Sequence, residues 1–371
     1  MWPFSAQVAT SASLSEGVRG GDEVMSATHQ HPFPDCAKRK SGTHKRDRFV
    51  ILGPGMNAAH SSGDGWCCGL GRICSRFQRL GLALAISALL LTACAPTRAP
   101  EFAPALFVAR DADSTLYLYG TIHLRESGEP WGSPAVEAAL AQAEEIWTEV
   151  ENSPANDERA RELTLLLGMA PPGRPLSTWL KPEDRERLAD AARRLGIEPQ
   201  ALEPMRPWLA GLTLTLAPIL RAGYDPGASV DRAIDAYGDA QHKTMRWFET
   251  PEQQIRLLAE LPETLQRQML LEAIDEAEAG IESLETLSGA WERGDTQTLE
   301  RELNESMRDE YPEVYATLLR GRNDAWIAVL MRELEGAGVD FVAVGAAHIV
   351  GEDGLVAQLR ARGVNVERVG E

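Results

Sequence analysis

Two stretches decide the fold: Leu118-Tyr119-Gly120-Thr121-Ile122-His123 near the start of the globular part, and Val344-Gly345-Ala346-Ala347-His348 near its end. Each stretch joins an apolar strand to a Gly-x-x-His turn. The glycine has the conformational freedom that lets the backbone leave the strand and direct the imidazole sideways. The same combination of strand and turn therefore occurs twice in one chain.

A helix and a further strand follow each Gly-x-x-His turn. The apolar patterns predict strands at 105–110, 115–119 and 146–151 with a helix at 134–145, and strands at 340–344 and 364–369 with a helix at 354–362. Two such units predict two crossovers within one sheet, with both histidines at the carboxyl ends of strands. In open α/β sheets, ligands bind at that edge.

The predicted fold class is α/β (or α+β). A central mixed sheet is expected to form from the N- and C-terminal β-Gly-x-x-His-α-β halves. The intervening residues, about 155–335, are predicted to be mostly helical. We interpret this large helical insertion as a lid or wall over the ligand-binding crevice.

The first 94 residues are interpreted as a targeting signal and its extension rather than as part of the folded domain. Residues 76–94 combine two basic residues, an apolar run of 12 residues and the sequence Leu91-Thr92-Ala93-Cys94, which is typical of a bacterial lipoprotein signal peptide. The apolar run is too short to span a bilayer. We therefore interpret residues 1–75 as a non-native or disordered extension, residues 95–104 as a Pro-rich tether, and residues 105–371 as the working domain.

Cys94 is the predicted lipidation site. Ala95 follows the cysteine, and by resemblance to such signals this favours an outer-membrane lipoprotein that faces the periplasm. The lipid would hold the chain on the membrane and leave its body in water. The alternative is a plain secretory signal and a soluble periplasmic or secreted protein.

Charge and cysteine content exclude several classes of function. The formal net charge is -18; the residues before Cys94 carry ten Lys/Arg and six Asp/Glu, or +4, so the rest carries -22. Nucleic-acid phosphates would be repelled, and we exclude nucleic acid as a partner. No cysteine follows Cys94, which excludes disulfides within the body, a thiol nucleophile and thiolate metal ligands there.

Three histidines follow Cys94, namely His123, His242 and His348. Two of the three lie in the matching Gly-x-x-His turns, which favours a shared function. The alternative is that each of the two merely caps a strand and binds backbone. His242, in a polar turn at 240–243, is expected to be exposed and without function.

Seven short stretches between residues 105 and 371 carry a family resemblance. They are Leu118-Tyr119-Gly120-Thr121-Ile122-His123, Thr148-Glu149-Val150-Glu151, Arg206-Pro207-Trp208-Leu209, Ser229-Val230-Asp231, Glu249-Thr250-Pro251-Glu252-Gln253-Gln254, Arg322-Asn323-Asp324-Ala325-Trp326-Ile327 and Val344-Gly345-Ala346-Ala347-His348. The ordered set resembles the TraB/PrgY/GumN family, which also contains the Tiki metalloproteases. Two mild departures are Ser229, where members usually carry Gly, and Glu151, where they often carry Asp.

The resemblance implies an α/β core related to the erythromycin-esterase and haem-binding ChaN-like proteins. It also implies that the two Gly-x-x-His histidines and a strand-end glutamate form a metal-dependent hydrolytic site. Two imidazoles and one carboxylate can hold a catalytic divalent metal and leave a position for water. The predicted ligands are His123, His348 and Glu149, and this donor set suits Zn, Mn or Co.

Four further residues are candidates for the site. Glu151 is expected to share a strand face with Glu149, as a further ligand or general base, although the pair could simply mark a sheet edge that meets a helix. Glu249 is interpreted as a strand-end acid. Glu249, Arg322 and Asn323 are predicted to bind substrate, while Arg322 and Asn323 could instead cap the helix that follows them.

Three other motif residues, Arg206, Trp208 and Asp231, are interpreted as structural. The expected function is an envelope-anchored, metal-dependent hydrolase, catalysing peptide cleavage through Glu149 and Glu151, with a peptide or small molecule as substrate. One alternative is a protein that sequesters such a ligand without turnover. Another is a protein that binds haem or metal.

Overall fold

The computed structural model describes residues 102–123, 125–279 and 282–370, with all of their side chains except those of residues 279, 282 and 283. The predicted extension at 1–75, the signal at 76–94 with Cys94, and the tether up to residue 101 lie outside the described residues. Within the part that is described, no helix has both the length and the apolarity needed to cross a bilayer.

The described strands are short, and six of them share one sheet. Their bounds are β1 (Leu106–Arg110), β2 (Ser114–Thr121), β3 (Arg125–Glu126), β4 (Glu145–Thr148), β5 (Tyr224–Asp225), β6 (Thr244–Trp247), β7 (Gly338–Gly345) and β8 (Val366–Arg368). The central sheet has the order β6-β4-β7-β2-β1-β8, whereas β3 and β5 pair with each other.

The central sheet is mixed, as predicted. The pairs β2·β7, β4·β7 and β4·β6 are parallel, and β1 is antiparallel to both of its neighbours, β2 and β8. Strand β8 therefore runs in the same direction as β7. The connection from β2 to β4 passes over β7, and the connection from β7 to β8 passes over β2 and β1. Each Gly-x-x-His unit is thus a crossover within one sheet.

Both faces of the central strands are buried, which explains their almost continuous apolar sequence. In β2, Leu116 and Leu118 pack with Val342 of β7 on one face of the sheet, while Tyr117 and Tyr119 belong to the core cluster on the other face. The sheet is consequently covered by helices on both sides.

The helices account for most of the remaining chain. They are α1 (Pro134–Gln142), α2 (Pro154–Gly168), α3 (Pro182–Arg194), α4 (Pro199–Leu202), α5 (Pro207–Arg221), α6 (Val230–Ala240), α7 (Pro251–Ala259), α8 (Glu263–Ala279), α9 (Glu282–Glu292), α10 (Thr296–Glu300), α11 (Ser306–Glu310), α12 (Pro312–Tyr315), α13 (Gly321–Leu334), α14 (Ala346–Ile349) and α15 (Leu355–Ala361). Helix α1 packs on the Tyr119 face, and α13 and α15 pack on the Leu118 face.

The insertion between the two halves is mostly helical, as predicted for 155–335, but it also contains the two short strands β5 and β6. Strand β6 lies inside it and forms the edge of the central sheet beside β4, and β5 pairs with β3. The sequence Thr244-Met245-Arg246-Trp247 does not have the apolar pattern of a buried strand. The reason is that an edge strand pairs on one side only, and three of its four residues are exposed. The edge position matters because Glu249 follows this strand.

Two π-helical segments, Arg301–Glu305 and Ala316–Arg320, interrupt the helices that lead into α13. Such segments occur often at functional sites, since they shift the side chains that follow around the helix axis. Here the second segment ends two residues before Arg322.

Candidate functional site

The parallel pairing of β2 with β7 places the two Gly-x-x-His turns side by side. Gly120 lies opposite Val344, and Thr121 lies opposite Gly345. A Cβ atom on Gly120 would lie 3.0 Å from the Cα of Ala346. The first turn therefore requires glycine because the backbone of the second turn approaches it closely.

Side chains from the insertion hold both turns in place. The indole Nε1 of Trp291 donates to the carbonyl of Gly120 at 2.7 Å. The amide of Asn304, in the first π-helical segment, donates to the carbonyls of Ala347 at 2.9 Å and Val350 at 3.3 Å. Buried carbonyls at the sheet edge are thereby satisfied, and the insertion forms part of the wall of the site.

Asp231 fixes the orientation of His123, the histidine of the first turn. Nδ1 of His123 lies 2.8 Å from Oδ2 of Asp231, whose Oδ1 accepts a hydrogen bond of 2.8 Å from the Thr121 hydroxyl. Asp231 lies in the first turn of α6, where a negative charge is favourable. Nε2 of His123 is buried and has no hydrogen-bond partner among the described residues.

The same carboxylate makes His123 a strong base. Burial alone would lower the pKa of the imidazole, but the charge and hydrogen bond of Asp231 outweigh burial and raise the pKa to about 9. At neutral pH the ring therefore carries protons on both nitrogens. Nδ1 donates to Asp231, and Nε2 can give its proton to a ligand or recover it from one.

His348, the histidine of the second turn, has both ring nitrogens engaged. Nδ1 lies 2.6 Å from Oδ1 of Asn323, and Nε2 lies 2.8 Å from Nη1 of Arg322. A guanidinium can only donate and an amide oxygen can only accept, so the ring is protonated on Nδ1 and accepts at Nε2. Burial, with the positive charge of Arg322, lowers the pKa of His348 to about 3. The ring is consequently neutral at physiological pH.

Glu149 directly follows β4 and is buried between the two turns. Its Oε1 accepts from the backbone N–H of Gly345 at 2.8 Å, and its Oε2 accepts from Arg322 at 2.7 Å and from Gln254 at 3.1 Å. Burial by itself favours the protonated acid, but the Arg322 guanidinium and the Gly345 hydrogen bond help to lower the pKa to about 2. Glu149 is therefore a carboxylate at physiological pH.

Arg322, in the first turn of α13, connects these groups to Glu249. Its Nε and Nη2 donate to the two oxygens of Glu249, each at 2.8 Å, in the paired geometry that a guanidinium forms with a carboxylate. Nη1 also donates to the carbonyl of Leu318 at 3.3 Å. One buried cation thus contacts Glu149, Glu249 and His348 together.

Glu249 is the strand-end acid that the sequence indicated. It follows β6, and Thr250 next to it forms a capping box with Gln253 at the start of α7. The backbone N–H of Glu249 donates to the carbonyl of Glu149 at 2.9 Å. Trp326 donates its Nε1 to the Glu249 carboxylate at 3.2 Å. The acid is therefore fixed from both its backbone and its side chain.

The three predicted ligands converge on Gly345. A Cβ atom on this glycine would lie 3.1 Å from Oε1 of Glu149, 3.5 Å from Nε2 of His123 and 3.7 Å from Cδ2 of His348. A side chain at position 345 would press on the Glu149 carboxylate and contact both imidazoles, so the close approach of these three groups depends on glycine here. Glycine is needed here for space, since its φ of -47° is open to any residue.

As arranged, these residues do not form the predicted three-ligand metal site. A metal could bind Nε2 of His123 once its proton is lost, because Asp231 holds Nδ1 and Nε2 has no partner among the described residues. Oε1 of Glu149 lies near the same space. Nε2 of His348, however, accepts from Arg322, and the described residues contain no group of three His, Cys, Asp or Glu side chains placed to hold an ion.

The structure also locates the other residues discussed from the sequence, which are Glu151, Arg322, Asn323 and His242. Glu151 does not share a strand face with Glu149, because β4 ends at Thr148; its exposed side chain instead accepts from Asn156 at 3.1 Å. Arg322 and Asn323 are buried in the site rather than positioned at a helix cap. His242 is exposed, with a φ of 54°, in the turn before β6.

Two residues of the site, Asp231 and Gln254, were not predicted to be part of it. Asp231 was interpreted as structural, although it lies in the Ser229-Val230-Asp231 motif, which was the available signal. Gln254 belongs to the motif at 249–254, in which it had no predicted role, and its side-chain amide donates to Oε2 of Glu149. Both belong to helix N-terminal turns that face the carboxyl edge of the sheet.

A cleft of about 720 Å³ adjoins the site between α7 and α13. It is lined by Phe248, Glu249, Gln253, Arg256, Leu257, Glu260, Leu261, Pro262, Thr317, Ala325, Trp326 and Val329. Glu249 and Trp326 belong both to this cleft and to the group of residues around Arg322. The cleft therefore brings solvent-accessible space into contact with the buried charges.

The fold and the paired turns agree with a comparison against protein-family models. The model of the TraB/PrgY/gumN family matches residues 105–368, which is most of the chain and nearly all of its described part. The chain belongs to the TraB/PrgY/gumN family. Comparison with curated proteins and with solved structures gave no match.

Proposed function

We propose that the chain is a hydrolase of peptide bonds whose reactive group is His123. One observation carries the proposal: Asp231 holds Nδ1 of His123, and the buried Nε2, which has no hydrogen-bond partner among the described residues, lies near Gly345 and the Glu149 carboxylate. A histidine that a carboxylate orients, and whose second nitrogen has no protein partner among the described residues, is suited to general acid–base catalysis.

The proposed reaction uses a water molecule that is bound by Nε2 of His123. At neutral pH only a small fraction of His123 has a deprotonated Nε2, because its pKa is about 9. In that form the imidazole accepts a proton from the water as the water oxygen bonds to the substrate carbonyl carbon. The carbon–nitrogen bond then breaks, and His123 returns the proton to the leaving amine. The net change is addition of one water across the peptide bond. Asp231 stabilises the imidazolium formed between the two steps.

Glu149 and Arg322 assist this reaction without forming a covalent bond to the substrate. Glu149 remains ionised because Arg322 and the Gly345 amide bind it, so it can accept a hydrogen bond from the attacking water. Glu249 and Trp326 connect this buried region to the cleft between α7 and α13, which is our proposed path for substrate.

The divalent metal stays a prediction. Nε2 of His123 and Oε1 of Glu149 are the atoms that remain available to Zn, Mn or Co in this arrangement, and the metal would supply Lewis-acid chemistry and a more acidic water. Metal analysis of the purified chain, and hydrolysis assays before and after chelation, test this part of the proposal separately from the role of His123.

We also propose that the protein acts at the outer membrane, facing the periplasm, with a lipid on Cys94. The support is the sequence Leu91-Thr92-Ala93-Cys94 after a basic and apolar segment. Metabolic labelling with a palmitate analogue should mark the wild-type chain and leave the Cys94→Ala variant unlabelled. Labelling of the variant would place the lipid elsewhere.

Turnover separates the proposed hydrolase from the alternatives. The purified full chain is incubated with a peptide library, and fragments are counted by mass spectrometry against moles of protein. Fragments in large excess over protein are expected. Stoichiometric retention of intact peptides would instead indicate a sequestering protein, and a Soret band after addition of haem, without peptide cleavage, would indicate a haem-binding protein.

A further inference from the structure

Arg322 lies where the sequence predicted a divalent metal. We infer that this guanidinium is the resident cation of the second Gly-x-x-His turn, and that His348 is a positioning residue rather than a co-ligand of His123. The inference does not depend on hydrolysis. It concerns which groups satisfy one another in the resting protein.

The hydrogen bonds of Arg322 carry the argument. Nε donates to Glu249; Nη1 donates to His348 and to the carbonyl of Leu318; Nη2 donates to Glu149 and Glu249. A guanidinium has five N–H groups, so these contacts engage all of them. Arg322 is therefore saturated by the protein and has no N–H left for a substrate.

Burial makes this arrangement difficult to replace. The side chain of Arg322 is 4% exposed and that of Glu149 is 3% exposed. Two charges withdrawn from water in this way are stable only with close partners and filled hydrogen bonds. The aromatic ring of Trp326 lies 4.6 Å from the guanidinium carbon and adds a cation–π contact.

The partners of Arg322 are the groups that a metal would need. Two carboxylates, Glu149 and Glu249, and the neutral nitrogen of His348 surround the guanidinium, and each is already bound to one or two of its nitrogens. Asn323 holds the other nitrogen of His348. A divalent ion could bind all three only if Arg322 left, and that would leave a buried cation without its partners.

The two Gly-x-x-His histidines consequently have different functions despite their matching sequence. Nε2 of His123 has no hydrogen-bond partner among the described residues, and it is the reactive nitrogen of the proposed function. His348 is a neutral acceptor that fixes Arg322, which in turn fixes Glu149. The two Gly-x-x-His units place their histidines at equivalent strand ends. Arg322 and Asn323, which belong to the insertion, bind the second histidine, His348, and so give it a separate role.

Cobalt binding without substrate tests this inference. Co²⁺ is titrated calorimetrically into the full-length wild type, Arg322→Ala, His348→Gln and the double variant. We expect the His348→Gln substitution to change wild-type Co²⁺ affinity by less than threefold. Arg322→Ala should gain a site at least tenfold tighter than the wild type shows at this position, and the double variant should lose it again.

Two results would overturn the inference. One is a single Co²⁺ site in the wild type that both His123→Asn and His348→Gln weaken by at least tenfold, since that would show a shared metal. The other is a folded Arg322→Ala variant with no new site. If Arg322→Ala does not fold, the wild-type comparison with His348→Gln decides alone. Peptide turnover is not measured, so hydrolysis and the role of Arg322 can fail independently.

Discussion

His123 and Asp231 are 108 residues apart in sequence, yet Nδ1 of the imidazole and Oδ2 of the carboxylate lie 2.8 Å apart. The first comes from the end of β2 and the second from the start of α6. Their contact converts a strand-end histidine into an oriented base with one free nitrogen, and most of our proposal depends on it.

The Asp231→Asn variant should lower the pKa of His123 from about 9, because the neutral amide removes the negative charge that favours the imidazolium. Asparagine can still accept from Thr121, so the fold should persist. Loss of such an orienting partner typically costs about 10- to 100-fold in activity. Titration of ¹⁵N-labelled histidines, assigned with the His123→Asn variant, measures the pKa.

The contact between His123 and Asp231 should also make the free energy of unfolding depend on pH. The pKa of His123 is raised in the folded state above its ordinary value of 6.5, so its stabilising contribution is complete below about pH 6.5 and is lost as pH rises through about 9. The wild type should lose this part of its unfolding free energy over that range, and Asp231→Asn should lose less of it. Identical pH profiles in both proteins would contradict the proposed pairing.

The Glu149→Gln variant should be less stable by about 3–5 kcal/mol, as expected when one partner of a buried ion pair is removed. The matched control is Glu151→Gln, because the exposed Glu151 lies two residues away and should change stability by less than about 0.5 kcal/mol. Denaturant unfolding of both variants at pH 7 measures the difference. Equal stability of the two variants would argue against the buried pair.

The effect of Glu149→Gln should also depend on pH. The pKa of Glu149 is lowered in the folded state from 4.5 to about 2, so the carboxylate stabilises the protein fully above about pH 4.5. That contribution is lost as pH falls towards 2. The gap between wild type and variant should therefore narrow between pH 4.5 and 2.

The Gly345→Ala variant should fold but lose at least tenfold in turnover. Its backbone φ of -47° allows alanine, while the new methyl group would press on Oε1 of Glu149, 3.1 Å away, and lie 3.5 Å from Nε2 of His123. Gly120→Ala provides the contrast, because its Cβ would lie 3.0 Å from a backbone atom of Ala346. That overpacking should cost about 1–3 kcal/mol of stability. Wild-type turnover in Gly345→Ala would place the reaction elsewhere.

Asp235→Asn should stabilise the protein at pH 8, on the order of 1 kcal/mol. One oxygen of Asp235 is bound by Asn152 at 2.5 Å, and the other is buried with no partner among the described residues. Burial raises the pKa of Asp235 from 3.8 to about 7, and the nearby charge of Asp231 adds to this effect. The hydrogen bond from Asn152 acts in the opposite direction but is outweighed. The folded state thus binds more protons than the unfolded chain between these values, and stability falls as pH rises through that range.

The matched control for this variant is Asp239→Asn, an exposed position on the same helix. A gain of about 1 kcal/mol corresponds to a rise in Tm of about 2–4 °C for a domain of this size. The rise should appear at pH 8 in Asp235→Asn alone and be nearly absent at pH 4. A rise of the same size at both pH values would show that the cost of burying Asp235 is not one of ionisation.

Much of the fold could be predicted from the sequence, because the apolar strands next to Gly120 and Gly345 are buried on both faces and leave a continuous pattern. Strand β6 left no such pattern, since an exposed edge strand needs few apolar residues. The end of β4 at Thr148, rather than after Glu151, also could not be predicted, because nothing in that short sequence marks where pairing stops.

The convergence of His123, His348 and Glu149 followed from sequence because parallel strands end at the same edge of a sheet. The role of Arg322 did not. Its partners Glu149 and His348 lie 173 and 26 residues away, and such pairings leave no local pattern. Asp231 was missed for the same reason: an acid at the start of a helix is interpreted as a cap unless its distant partner is known.

Peptide-library turnover by the His123→Asn variant tests the central claim most directly, with His242→Asn as the matched control. Both variants should retain the wild-type circular dichroism spectrum, and asparagine tolerates the φ of 54° at position 242. His123→Asn should lose about 100-fold or more in turnover, the typical contribution of a general acid–base group, while His242→Asn stays within twofold of wild type. Wild-type turnover in His123→Asn would contradict the assignment of His123 as the reactive group.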